Sequence, residues 1–253
     1  MRERQSMTLC RLACLVVVLL CVAPASYAQR GAQVQTPRQA APIDMTGYWV
    51  AVVTEDWRFR MVTPPKGDYN SVPLNDEGRR VADTWDPERD RAAGEECRWY
   101  GAASIMSVPG RLRISWEDDE TLRVETDAGT QTRLFHFGDA APPSSAVGWQ
   151  GHSTATWRIR AGGMEPGSLP GGSLEVTTTH MRPGYLRRNG VPYSADARLT
   201  EWYYVLEDAG TTWLIVISVV EDPAYLLEPF VTSRQFKKER NGNGWNPTPC
   251  MAG

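Results

Sequence analysis

The sequence predicts an all-β fold, an antiparallel β-barrel of about ten or eleven strands with one short helix. Three observations lead there. Apolar and polar residues alternate through a series of short runs, the period of a half-buried strand: Leu112, Ile114 and Trp116 share one face, as do Leu174, Val176 and Thr178. Turn-forming clusters separate the runs at hairpin spacing, at Asp118-Asp119, Asp127-Ala128-Gly129, Asp208-Ala209-Gly210 and Asn241-Gly242. Large flat side chains are abundant, with 10 Trp, 9 Tyr and 5 Phe, types favoured on pleated, half-buried surfaces. A barrel is preferred to a two-sheet sandwich because closure leaves no exposed edge.

The N-terminal segment stands outside this pattern. Arg2, Arg4 and Arg11 accompany an unbroken apolar run from Leu12 to Ala23, followed by Pro24 and the small-residue site Ser26-Tyr27-Ala28. Residues 1–28 therefore read as a secretory signal peptide. That run is too short for a comfortable membrane span and no later one is longer, so the mature chain is expected to be periplasmic or secreted, with no membrane span. Cys10, Cys14 and Cys21 leave with the signal, and only Cys97 and Cys250 remain. A disulfide between them is the natural reading in an exported protein, with two free thiols as the alternative. Residues 29–43, rich in Gln, Ala and Pro, read as a flexible leader, and residues 44–253 as a single barrel domain.

Within the domain the expected strands are Gly47–Thr54, Trp57–Thr63, Ile105–Val108, Arg111–Glu117, Thr121–Thr126 and Thr130–Phe137. After the Pro/Gly-rich stretch from Gly138 to Gly151 they resume as His152–Ile159, Ser173–Met181, Arg198–Glu207, Thr212–Val220 and Phe230–Lys237. One helix is expected over Asp76–Trp85, capped by Asn75 and stopped before Pro87. A net charge of −3 gives no electrostatic basis for nucleic-acid binding.

Several stretches resemble, in order and spacing, an uncharacterised family of exported bacterial lipocalin-like β-barrel proteins. The resemblance rests on CRWYGAASIMSVPGRLRISWEDDETLRVETD, TQTRLFHF, GWQGHSTATWRI, GGSLEVTTTHMRPGYLRRNGVPYSADARLTEWY and VVEDPAYLLEPF. Its matching positions include Cys97, Gly101, Met106, Pro109, Arg133, Gly151, Ser153, Trp157, Leu174, Val176, Thr178, Thr200, Glu201, Asp222, Pro223, Pro229 and Phe230. The sequence departs from the family pattern at Trp202 and in the Gly162–Gly172 insertion. The resemblance implies a lipocalin-type barrel and carries no reaction with it.

Chemistry-bearing residues are few. The 3 histidines are His136, His152 and His180. Alternation puts His136 with Leu134 and His180 with Leu174 and Val176, so both are expected to face the interior, where an imidazole can serve as acid or base near neutral pH. His152 falls on the opposite parity to Trp157, and no HxH or HExxH spacing supports a metal site. Glu201, beside Trp202, Tyr203 and Tyr204, is either a carboxylate with a raised pKa or the partner of an inward arginine such as Arg133. Arg58 and Arg60, on one face of the expected strand, would suit an anionic head group if they pointed inward, but a solvated face is the commoner outcome. No GxSxG elbow or phosphate-cradling glycine loop is present.

These features favour a barrel that holds a small apolar or aromatic molecule in its interior without a cofactor, with Arg58, Arg133, His152, Trp157 and Tyr203 as candidate ligand contacts. The alternative is a lyase, isomerase or hydrolase on the same barrel, with His136, His180 and Glu201 as candidate acid–base residues. A third reading is an envelope interaction protein with a filled barrel and an exposed apolar patch.

Overall fold

The computed structural model describes residues 35–138, 141–142, 148–160 and 171–252. The expected signal peptide, the first part of the expected leader and most of the Gly162–Gly172 insertion lie outside the described residues. The strands are β1 (Gly47–Val52), β2 (Arg111–Trp116), β3 (Thr121–Thr126), β4 (Gln131–Phe137), β5 (His152–Arg160), β6 (Gly171–Thr179), β7 (Gly184–Arg187), β8 (Val191–Tyr193), β9 (Arg198–Asp208), β10 (Thr211–Glu221) and β11 (Phe230–Glu239). Nine of them close a barrel in the order β1-β11-β10-β9-β6-β5-β4-β3-β2, and β7 pairs with β8 in a separate hairpin. Four short helices, α1 (Trp57–Met61), α2 (Asp76–Ala82), α3 (Pro87–Ala92) and α4 (Ala102–Ile105), and a 3-10 turn (Glu96–Tyr100) complete the described elements.

The all-β barrel is as expected, but its wall is mixed rather than purely antiparallel. β4 and β5 run parallel, pairing Phe135 with Ser153, His136 with Thr154 and Phe137 with Ala155. A parallel neighbour is not reached by a tight hairpin, in keeping with the 14 residues that separate Phe137 from His152 in the sequence. Elsewhere the turn chemistry matches its positions. β9 and β10 are joined through Ala209 (φ 47°) and Gly210 (φ 73°), the two left-handed residues of a type I′ hairpin.

Two expected strands are not strands. Trp57–Thr63 forms α1 and its exit, and Ile105–Val108 is the last residue of α4 and the turn after it. α1, WRFRM, carries the aromatic residues typical of strands, and its Arg60 Nε donates to the Ser107 carbonyl at 2.9 Å. The expected 76–85 helix ends at Ala82, and Pro87 opens α3 instead of merely stopping α2. Asn75 does cap α2, its Oδ1 accepting from the Gly78 amide at 2.8 Å.

Strand parity places the core. One face of the wall turns Trp49, Leu112, Ile114, Val124, Phe135, Leu174, Tyr203, Val216 and Phe236 inward, all nearly inaccessible. A second apolar cluster, including Tyr69, Leu74, Met181, Leu186, Tyr193, Leu199, Val220 and Phe230, joins one end of the barrel to the helices and the β7–β8 hairpin. At Gly190 (φ 82°), in the β7–β8 turn, a Cβ would lie 2.3 Å from Trp85, so the packing itself requires glycine. Cys97 of the 3-10 turn and Cys250 stand at disulfide-bonding distance, Cα atoms 5.1 Å apart across 153 positions, tying the C-terminal tail to this capped end. Among the described residues no helix is long and apolar enough to cross a membrane.

Candidate functional site

The middle of the barrel holds a polar group inside an apolar shell. Arg133 of β4 reaches across the lumen to Glu201 of β9, with Nη2 to Oε2 at 2.6 Å and side-chain exposures of 0% and 1%. β4 and β9 are separated in the wall by β5 and β6, so this pair bridges the interior rather than lacing adjacent strands. Arg133 also donates to Thr178 Oγ1 at 3.1 Å and to Tyr203 Oη at 3.3 Å. Ser218 Oγ donates to Glu201 Oε1 at 3.4 Å, and Ser153 and Thr178 share a 2.8 Å hydrogen bond. Burial works against the Arg133 charge, but the Glu201 carboxylate outweighs it and holds the guanidinium firmly protonated. Burial, reinforced by Glu201, keeps the Tyr203 phenol far above its ordinary range. Of the two readings of Glu201 given by the sequence, the structure shows the paired one, and Arg133, Glu201 and Tyr203 meet in one network.

The histidines lie elsewhere. Arg133, Phe135 and Phe137 occupy the inner face of β4, so His136 is outside, where parity with Leu134 correctly puts it but where no interior exists. His180 follows the last residue of β6 and takes a left-handed φ of 54°, which turns it to the surface instead of continuing the inner row of Leu174, Val176 and Thr178. Both expectations of inward histidines are thereby corrected. His136 and His152 do come together, ring centroids 5.4 Å apart and 15° from parallel, on the outer face. They border an open groove of about 540 Å³ between β4 and the Trp149–His152 segment, lined also by Gln131, Thr132 and Leu134. Burial, and then His152, lower the His136 pKa from its ordinary value. Among the described residues no three His, Cys, Asp or Glu side chains gather as a metal site.

The two barrel ends differ in chemistry. Trp116 of β2, Phe137 of β4 and Trp157 of β5 converge at the end opposite the helices, with centroids 5.3 to 6.4 Å apart. Phe137 is buried between two half-buried indoles. The described part of the expected leader, residues 35–43, lies against this mouth. Trp157 Nε1 donates to the Pro37 carbonyl at 2.7 Å, the Arg38 amide donates to the Asp119 carbonyl at 3.1 Å, and Ile43 packs on the core. Trp157 was a candidate from the sequence; Phe137 was not singled out, because its convergence with Trp116 depends on the register of nonadjacent strands.

At the capped end, Arg58 and Arg60 do not share a face. On a helix residues two apart diverge by about 200°, so Arg58 pairs with Asp68 at the surface whereas Arg60 is buried. No family model matches this chain, and no curated protein or solved structure matches it either.

Proposed function

We propose that this protein is an exported, lipocalin-like barrel that holds a small apolar or aromatic molecule at its aromatic mouth. The carrying observation is the Trp116–Phe137–Trp157 cluster, against which, among the described residues, a short peptide lies with few polar ties. Such rings accept a flat apolar molecule by stacking and edge contacts, and the covering peptide can be displaced without opening the wall. The axial interior is a poorer location, since Arg133, Glu201, Tyr203 and Phe135 occupy it. The Cys97–Cys250 pair and the signal-like N-terminal segment support a periplasmic or secreted setting.

The acid–base enzyme reading has less support. His136 lies on the outer face of β4, His180 is exposed beyond β6, and Glu201 is sealed inside with Arg133. These three side chains do not face a common space.

The test is gentle purification from the natural host, denaturing extraction and mass spectrometry, together with a fluorescence titration using 1-aminoanthracene. A stoichiometric organic molecule, and probe binding weakened at least tenfold by Trp157→Ala, are expected. No extracted molecule and equal probe binding by both forms would overturn the reading. Attention would then pass to the interaction reading and to Trp57, Met61 and Val62, all more than half exposed along α1 and its exit.

A further inference from the structure

Three guanidinium groups line one small cavity at the capped end: Arg60 of α1, Arg187 of β7 and Arg234 of β11. None is more than 5% exposed. Arg234 is well partnered, donating to Asp56 Oδ2 at 3.0 Å, Ser107 Oγ at 2.9 Å and its neighbour's carbonyl on Ser233 at 2.8 Å. Arg187 donates to the Asn70 carbonyl and lies 3.8 Å above the Phe59 ring. Arg60 is different. Its Nε donates to the Ser107 carbonyl, but neither Nη1 nor Nη2, both buried, has a partner.

A buried cationic donor without an acceptor is among the costliest arrangements a fold can hold. Deprotonation is no escape: burial, and then Arg234, bring Arg60 down only to about 10, and burial brings Arg187 to about 10, so both stay charged at neutral pH. Nearby acids do not close the balance. Asp56 is engaged by Arg234 and Asp68 by Arg58, while Glu55 accepts from Gln235 through Oε1 and leaves Oε2 unpartnered. Asp56 itself sits at a left-handed φ of 53°, a conformation that non-glycine residues hold only when the surroundings impose it.

The room available selects the missing partner. The cavity offers about 10 Å³ to the centre of a water-sized sphere, enough for one such particle. A water molecule would satisfy donors but leave the charge excess. A halide, slightly larger than water, does both once the lining side chains shift by a few tenths of an ångström, whereas sulfate or a carboxylate with a carbon tail far exceeds the space. We propose that Arg60, Arg187 and Arg234 form a buried site for a single small monovalent anion of halide size, with the two Arg60 Nη groups as its principal donors.

Thermal unfolding of the full chain at constant ionic strength, with chloride replacing gluconate, tests the site. The expected result is a melting temperature that rises by about 3–5 °C for each tenfold increase in chloride above the dissociation constant. Arg60→Met should abolish that dependence. Equal melting temperatures in chloride and gluconate would overturn the proposal. If Arg60→Met does not fold, crystals of the unaltered protein soaked in bromide decide the matter. An anomalous peak within hydrogen-bonding reach of the Arg60 Nη atoms upholds the site; no peak there removes it. Either outcome leaves the reading of the aromatic mouth untouched.

Discussion

The two ends of this barrel solve the same problem with opposite chemistry. At one end Trp116, Phe137 and Trp157 form an apolar rim, and residues 35–43 cover it through a few hydrogen bonds. At the other, four helices and a hairpin build a thick cap containing buried charge, pinned by the Cys97–Cys250 pair. The first closure is cheap to undo, because removing it exposes rings that still stack on one another. The second is expensive, because opening it separates ion pairs and apolar packing together. On the proposed reading a ligand would exchange at the aromatic mouth, with the cap as the floor.

That contrast is open to experiment. Replacing both Cys97 and Cys250 by Ser should lower stability by about 4–5 kcal/mol if the reduced chain regains its full loop entropy, measured by urea unfolding. The loss should appear first as solvent exposure in the cap. Next in size is Glu201→Gln, which leaves Arg133 charged and sealed beneath both ends. A loss of about 3–5 kcal/mol is expected, and Arg133→Met combined with Glu201→Leu should recover much of it. Recovery by the double change would show that the pair is not required to hold the barrel together. Deleting residues 35–43 should remove only about 1–2 kcal/mol, on the order of the Trp157 hydrogen bond and its neighbours. The same deletion should red-shift tryptophan emission and tighten 1-aminoanthracene binding, whereas an equal loss of stability and of probe binding would make this segment part of the wall.

The smallest effect concerns pH at the outer groove between the two ends. His136 has its pKa held below 6.5 by burial and by His152, partly offset by Asp118 and Glu117. The unfolded chain therefore takes up its proton first. Stability is full above about 6.5, declines as pH falls below it, and levels off once folded His136 protonates. His136→Gln should flatten this slope between pH 7 and 5, a difference within about 0.5 kcal/mol for a half-exposed group.

The barrel was legible because its strands carry period-two alternation and its hairpins carry their own turn residues. Leu112, Ile114 and Trp116 face inward as their spacing requires, and Ala209-Gly210 turns where Asp-Ala-Gly announces it. The cap was not legible. α1, with its sequence WRFRM, has the composition of a strand, and five residues are too few to show a helical period. Its tertiary tie, Arg60 to the Ser107 carbonyl, spans 47 positions and leaves no local trace in the sequence. For the site, the pairing of Glu201 with an inward arginine such as Arg133 was recognisable because a buried carboxylate needs a cation. His136 was misplaced because parity says which residues share a face and not which face is inside. The convergence of Arg60, Arg187 and Arg234 had no local signal, since it is created by three elements meeting over a barrel end.

The parallel contact between β4 and β5 is the one seam in the wall, whose other eight contacts are antiparallel and run without interruption from β5 through β6, β9, β10, β11, β1, β2 and β3 to β4. Only Phe135, His136 and Phe137 find partners across that seam, against the full length of β9 beside β10. Breathing of the barrel should concentrate there: amide hydrogens along this seam are the ones that exchange with solvent soonest, while those between β9 and β10 wait for global unfolding. The staves are thus not equivalent, and the molecule has a built-in line along which its cylinder can part without dismantling the antiparallel sheet on either side of it.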